Sequence, residues 1–131
     1  MSEHVKASHE LLDGMKTKRL PLVLVESPLS AATPEGMEAN KAYARACMRD
    51  CIMRGEAPFA SHLMYAQEGL LDDNIPEERA LGIHAGLEWG RCAAKTVVYT
   101  DRGVSSGMQK GIERALAEGR EVLYRDLGWK E

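Results

Sequence analysis

Aromatic residues are scarce in this chain: they make up 5% of 131 residues, and there is a single Phe. A core built from large rings is therefore not expected, and 12 Gly and 7 Met point to other means of shaping the fold. Long hydrophobic runs are missing as well. The longest, residues 20–25, is strand-sized and contains Pro21, far short of the roughly 20 residues needed to span a membrane. No membrane partner is expected. Charge of one sign is not in excess: 17 Lys and Arg face 20 Asp and Glu, a formal net charge of −3. An overall basic field is absent, so a nucleic-acid polymer is not the expected partner. Met1-Ser2-Glu3-His4 lacks the basic start and apolar stretch of a signal peptide, which makes a cytoplasmic location the expectation. Cysteines number three, so they cannot all pair internally. Cys47 and Cys51 are four apart, but no further Cys or His follows at zinc-site spacing. All three are read as buried, reduced thiols, and neither a metal nor a cofactor is expected.

What is present is the ordinary balance of a soluble domain, with 44% hydrophobic and 28% charged residues. The length suits one domain. Residues 1–19 read as an arm or short helix, and residues 20–131 as the domain proper. Residues 20–25 read as a buried strand. Thr33-Pro34 signals a helix start, followed by helical spacing of Met37, Tyr43, Ala44, Cys47, Met48, Cys51 and Ile52 and closed by Gly55. A short strand at 57–60 leads into a polar connection over 61–74. Asn74, Pro76 and Glu77 suggest the capped start of a second helix, with a buried stripe of Ala80, Leu81, His84 and Leu87. Residues 95–100 form the next strand. Ser105 caps a helix with Met108, Ile112, Ala115 and Leu116 facing inward, Gly119 stops it, and 121–125 is the last strand. Alternation of this kind predicts a parallel α/β sheet of about four to five strands with helices on both faces. Ligands in such sheets bind at the carboxyl ends of the strands, where the strand order reverses.

That rule selects three loops. In the first, Glu26 ends the strand, and Ser27, Pro28 and Ser30 with their backbone N–H groups can hold an anion near a helix start. Asn40, an amide on an otherwise apolar helix stripe, must find partners; it either ties down this loop or touches a ligand. In the second, His62 stands at the end of the short strand, where a neutral imidazole can contact phosphate, ribose or base. In the third, Asp101 leaves a strand, Gly103 permits a turn, and Ser105, Ser106, Gly107 and Met108 open a helix. This is neither a Walker A loop nor a dinucleotide fingerprint in its usual place.

The strand end Val25-Glu26-Ser27-Pro28-Leu29, the strand end Pro58…His62, and Ser105-Ser106-Gly107-Met108 opening an Ile112…Ala115 helix together resemble the nucleoside 2-deoxyribosyltransferase-like superfamily, which includes deoxynucleoside monophosphate N-glycosidases. The likeness extends over roughly residues 20–126. It implies a small flavodoxin-like, three-layer domain that binds a nucleotide or nucleoside and acts as a homo-oligomer. It also implies a carboxylate acting on the N-glycosidic bond, with Ser27 and Ser30 near sugar or phosphate and His62, Asp101, Ser105 and Ser106 lining the rest. One departure matters: the position of the family's nucleophile, four before the small residue matched by Ala115, is Gly111 here. Glu26 and Asp101 are the carboxylates placed to substitute. The expectation is therefore a nucleotide-binding protein that cleaves or transfers an N-glycosidic bond through Glu26 or Asp101. The alternatives are a non-catalytic binder that sequesters or senses such a molecule, and a protein-interaction module on the same scaffold.

Overall fold

A computed structural model of the chain describes residues 3–129. The elements are α1 (Glu3–Thr17), β1 (Leu22–Glu26), α2 (Pro34–Met53), β2 (Ala57–Phe59), α3 (Ser61–Tyr65), α4 (Pro76–Trp89), a 3-10 turn (Gly90–Cys92), β3 (Lys95–Tyr99), α5 (Ser106–Ala117) and β4 (Glu121–Arg125). The four strands are all parallel and lie in the order β2-β1-β3-β4. The expected α/β, flavodoxin-like three-layer architecture is present. The strand order reverses between β1 and β3, which fixes where a ligand crevice forms.

Register decides what each face of the sheet presents. Val25 pairs with Val97, and Glu26 with Val98, so successive residues alternate between faces. Val23, Val25, Val97 and Tyr99 point to one side and pack against Tyr43, Cys47 and Cys51 of α2. Val98 points to the other, against Met108 and Ile112 of α5. The Glu26 side chain belongs to that second face. Helix α2 starts where the sequence indicates: Thr33 accepts a hydrogen bond from the Gly36 N–H at 3.0 Å, and Pro34 occupies the first turn. Gly55, just past its end, has φ +81, a conformation glycine adopts without steric penalty.

Several sequence expectations are corrected. The 61–74 connection contains the short helix α3. Helix α4 has Ile75 rather than Asn74 at its cap position and no side-chain cap. Its inward face carries Gly82, Ile83 and Gly86 instead of Ala80, Leu81 and His84; Leu81 is 61% exposed. The physical reason is close approach: a Cβ on Gly86 would overlap the Ser61 side chain of α3. Leu116 is 64% exposed and so does not face inward. Cys47 and Cys51 are buried thiols, but Cys92 is exposed.

A charged cluster ties three strands together. Glu56, 4% exposed and just before β2, accepts two hydrogen bonds from Arg125 at the end of β4, at 2.8 and 2.7 Å. Lys95, at the start of β3, lies 2.8 Å away. The Arg125 hydrogen bonds, with help from Lys95, hold the Glu56 carboxyl down at about 2 against the effect of burial. A depressed carboxyl stabilises the fold above its unfolded value, near 4.5, and that contribution is lost as pH falls through about 2. We predict that E56Q destabilises the protein by about 3 kcal/mol or more at neutral pH, because it leaves two cations without their partner. Urea unfolding followed by circular dichroism should show the gap closing as pH falls below about 4.5. A gap of constant size across that range would rule the ion cluster out as the cause.

Candidate functional site

At the carboxyl ends of β1 and β2 lies a cleft that is partly open to solvent. Its floor is Glu26 and Ser27 from the end of β1, with Leu29 and Ser30 in the loop beyond. Ser61 and His62 of α3 form one wall, and Ser105, Gly107 and Met108 at the start of α5 form another. Helix α4 closes the far side with Arg79, Ile83, Gly86 and Leu87, beside Asp73.

Glu26 has the most unusual environment. Glu26 is half-buried, and its carboxyl makes no hydrogen bond to any described residue and borders the cleft. It rests against α5 at Gly111. A Cβ on Gly111 would stand 2.9 Å from Oε1 and nearer still to Oε2 and Cδ. The carboxyl thus occupies the space that any side chain at position 111 would begin to fill. Burial pushes its pKa up to about 8, and the attraction of Arg120 offsets this only in part. Arg120 is itself committed elsewhere, donating to Thr96 Oγ1 at 3.0 Å and to the Gly90 carbonyl at 2.6 Å. That shift favours the protonated acid at neutral pH.

His62 stands beside it through Ser27. Its Nε2 lies 3.0 Å from Ser27 Oγ and 3.1 Å from the Ser27 carbonyl oxygen. A carbonyl can only accept, so Nε2 carries the proton and Nδ1 is left with a lone pair. That Nδ1 is buried and has no partner among the described residues. Burial lowers the His62 pKa, keeping the ring neutral. Ser105 caps α5 by accepting from the Met108 N–H at 3.2 Å, which leaves the first turn of that helix directed at the cleft. The Arg79 guanidinium comes close to this turn, 3.7 Å from where a Cβ on Gly107 would lie. It is held only loosely by Asp73, at 3.9 Å. Asp73 also accepts from Ser30 Oγ at 3.0 Å.

Glu26, Ser27, Ser30, His62, Ser105, Gly107 and Met108 are therefore brought together. Four other predicted residues are not. Asp101 lies outside the cleft with its carboxylate fully engaged by the Tyr43 hydroxyl at 2.5 Å, the Leu127 N–H at 3.0 Å and the Trp129 N–H at 2.9 Å. Burial opposes its ionisation, but these hydrogen bonds hold its pKa below the ordinary value. It is a clasp for the C-terminal segment rather than a reacting group. Asn40 resolves its two alternatives in favour of structure. Its amide donates to the Leu29 carbonyl at 2.9 Å and accepts from Arg102 Nε at 2.9 Å, pinning the first loop. Pro28 is buried outside the cleft lining, and Ser106 faces solvent. Sequence reasoning missed Ser61, Asp73, Arg79 and Gly86. Two signals were available: an Arg in the first turns of α4, against the preference set by the helix dipole, and glycines spaced four apart at 82 and 86. Among the described residues no group of three His, Cys, Asp or Glu side chains could hold a metal ion. None of their helices is long and apolar enough to cross a membrane.

Fold and cleft together define a doubly wound α/β domain with a cleft at its topological switch point. The chain belongs to a family described as a domain of unknown function (DUF7768), which matches residues 21–125. No curated protein matches it.

The Glu26 environment predicts a pH dependence of stability. In the unfolded chain the carboxyl ionises near 4.5, but in the native state it stays protonated to about 8. Between these values the unfolded state binds fewer protons, so stability falls as pH rises. E26Q should raise the thermal midpoint at pH about 8 and leave it nearly unchanged at pH about 4, where both states of the parent are protonated. Equal midpoints for variant and parent at both pH values would contradict the assigned environment.

Proposed function

We propose that the cleft binds a nucleotide or nucleoside and that Glu26 acts on its N-glycosidic bond as a general acid. The observation that carries this is the Glu26 carboxyl, without a hydrogen bond to any described residue, lining the cleft and filling the space of the absent side chain at Gly111, where burial raises its pKa. An acid kept neutral by burial is suited to protonate a departing base. The Glu26 proton passes to a nitrogen of the base, the bond between that base and the anomeric carbon breaks, and the base leaves. The carboxylate formed then faces the developing positive charge on the sugar. Water adds to the anomeric carbon and returns a proton to Glu26, so the balance closes without a second substrate. Arg79 and the first turn of α5 supply positive potential for a phosphate. Ser27 and His62 offer hydrogen bonds to sugar or base.

The likeness to the deoxyribosyltransferase-like superfamily supports the same substrate class, and with it a cytoplasmic homo-oligomer. Exposed Leu116, Tyr124 and Trp129 are compatible with an interface between copies. A second reading, a binder without chemistry, is favoured by one observation. Asp101 is sequestered, so no carboxylate of the predicted pair backs up Glu26.

One experiment separates the two. The native protein is purified, denatured and analysed for bound ligand by mass spectrometry, and free-base release is measured over a panel of nucleotides and nucleosides. Glycosidic cleavage predicts base release that falls by about 100-fold or more in E26Q, the usual contribution of a general acid. Recovery of an intact nucleotide with no base release from any panel member identifies the binder. Failure of every panel member to bind would overturn both readings.

A further inference from the structure

We propose that Gly111 is a positioning residue: its missing side chain is the slot that holds the Glu26 carboxyl at the floor of the cleft. Position 111 lies on the buried face of α5, between Met108, Ile112 and Ala115. Every other residue of that face carries a side chain that packs. Glycine is the poorest helix former after proline, and nothing in the local backbone asks for it, since position 111 is not among the glycines with positive φ. The three atoms nearest a Cβ at Gly111 are those of the Glu26 carboxyl. The close approach of that carboxyl accounts for the glycine.

The slot also explains why the carboxyl has no partner. The buried face of α5 offers it no titratable group. Arg120, just before β4, approaches with its Nε and Nη1 held by Thr96, Gly90 and Glu118, while its buried Nη2 has no partner among the described residues. From the other walls, His62 is engaged by Ser27, while Asp73 and Arg79 face each other across the cleft. A Cβ at position 111 meets the far end of a flexible side chain rather than backbone. The fold can therefore accept alanine there by swinging the Glu26 carboxyl out into the open cleft, where water reaches it and it ionises like an ordinary carboxylic acid. That the slot serves catalysis rests on Glu26 being the proton donor proposed above; the slot itself does not.

The test follows the Glu26 carboxyl by NMR of protein carrying 13C-labelled glutamate, assigned with E26Q, in the parent chain, in G111A and in G14A. Gly14 is a helix glycine whose Cβ would meet nothing within 4 Å, so G14A controls for a change of helix propensity alone. The parent and G14A should titrate near 8. G111A should bind the proton roughly 100-fold or more weakly, moving toward the ordinary glutamate value. An unchanged Glu26 titration in G111A overturns the proposal. If G111A does not fold, the double variant E26A/G111A decides: recovery of a cooperative thermal transition shows that carboxyl and Cβ compete for one space, and failure to recover overturns the proposal. No ligand enters these measurements. A slot that behaves as expected in a protein that releases no base would leave this inference standing and remove only the chemistry.

Discussion

The structure turns on one steric fit, a carboxyl from the end of β1 seated in the gap left by a glycine on α5. Both partners are placed by the parallel sheet. Register puts Glu26 beside Val98 on the α5 face, and the Met108, Ile112, Ala115 spacing puts Gly111 opposite it. A bulkier residue at 111 would either lift α5 off the sheet or drive the carboxyl out. Because α5 also brings its capped N-terminus to the cleft, the packing that buries Glu26 and the packing that presents Ser105 and Gly107 are one arrangement. The acid and the anion-favouring end of the cleft are thus fixed relative to each other by the core rather than by loops.

Three acids show how environment rather than residue type assigns the roles. Glu56 is met by Arg125 and Lys95 and stays ionised well into acid. Asp101 gathers a tyrosine hydroxyl and two backbone N–H groups and also stays ionised. Glu26 has burial without hydrogen bonds and stays protonated near neutrality. The first two spend their charge on holding strands and the C-terminal segment in place. Only the third has unsatisfied hydrogen-bonding capacity, and only the third borders the cleft.

Much of this was legible in the sequence. The alternation of strands and helices, the Thr33 and Ser105 caps and the turn at Gly55 follow from local chemistry that the fold does not override. Glu26, Ser27, His62 and Ser105 were found because strand ends in a parallel sheet converge on one edge. The failures share a cause. Ala80, Leu81 and His84 looked like a buried stripe because apolar and semi-polar residues recur there at helical spacing. The face that packs is instead made of Gly82 and Gly86, which carry no hydropathy signal and work by letting helices touch. Asp101 looked catalytic because its position at a strand end is right. That its oxygens are taken by Leu127 and Trp129, some 26 residues and more away in sequence, depends on the path of the C-terminal segment, which no local pattern encodes. Arg79 was passed over because a charge on a helix is usually solvated, and only the packing of α4 against α5 turns it inward.

The cleft's charge pattern in turn constrains what it can hold. Its acid and its imidazole are both neutral near pH 7, and its one cation, Arg79, is loosely matched by Asp73 at 3.9 Å. An anion at the first turn of α5 would draw Arg79 away from Asp73 and gain the helix-terminal N–H groups at the same time. Its negative charge would further disfavour ionisation of Glu26, strengthening the carboxyl as a proton donor once the ligand is bound. A cation would do the reverse, ionising Glu26 and losing the acid. Under the proposed function, binding and chemistry are coupled through one titrating group, and the sign of that coupling favours a negatively charged substrate that needs a proton delivered to its leaving group.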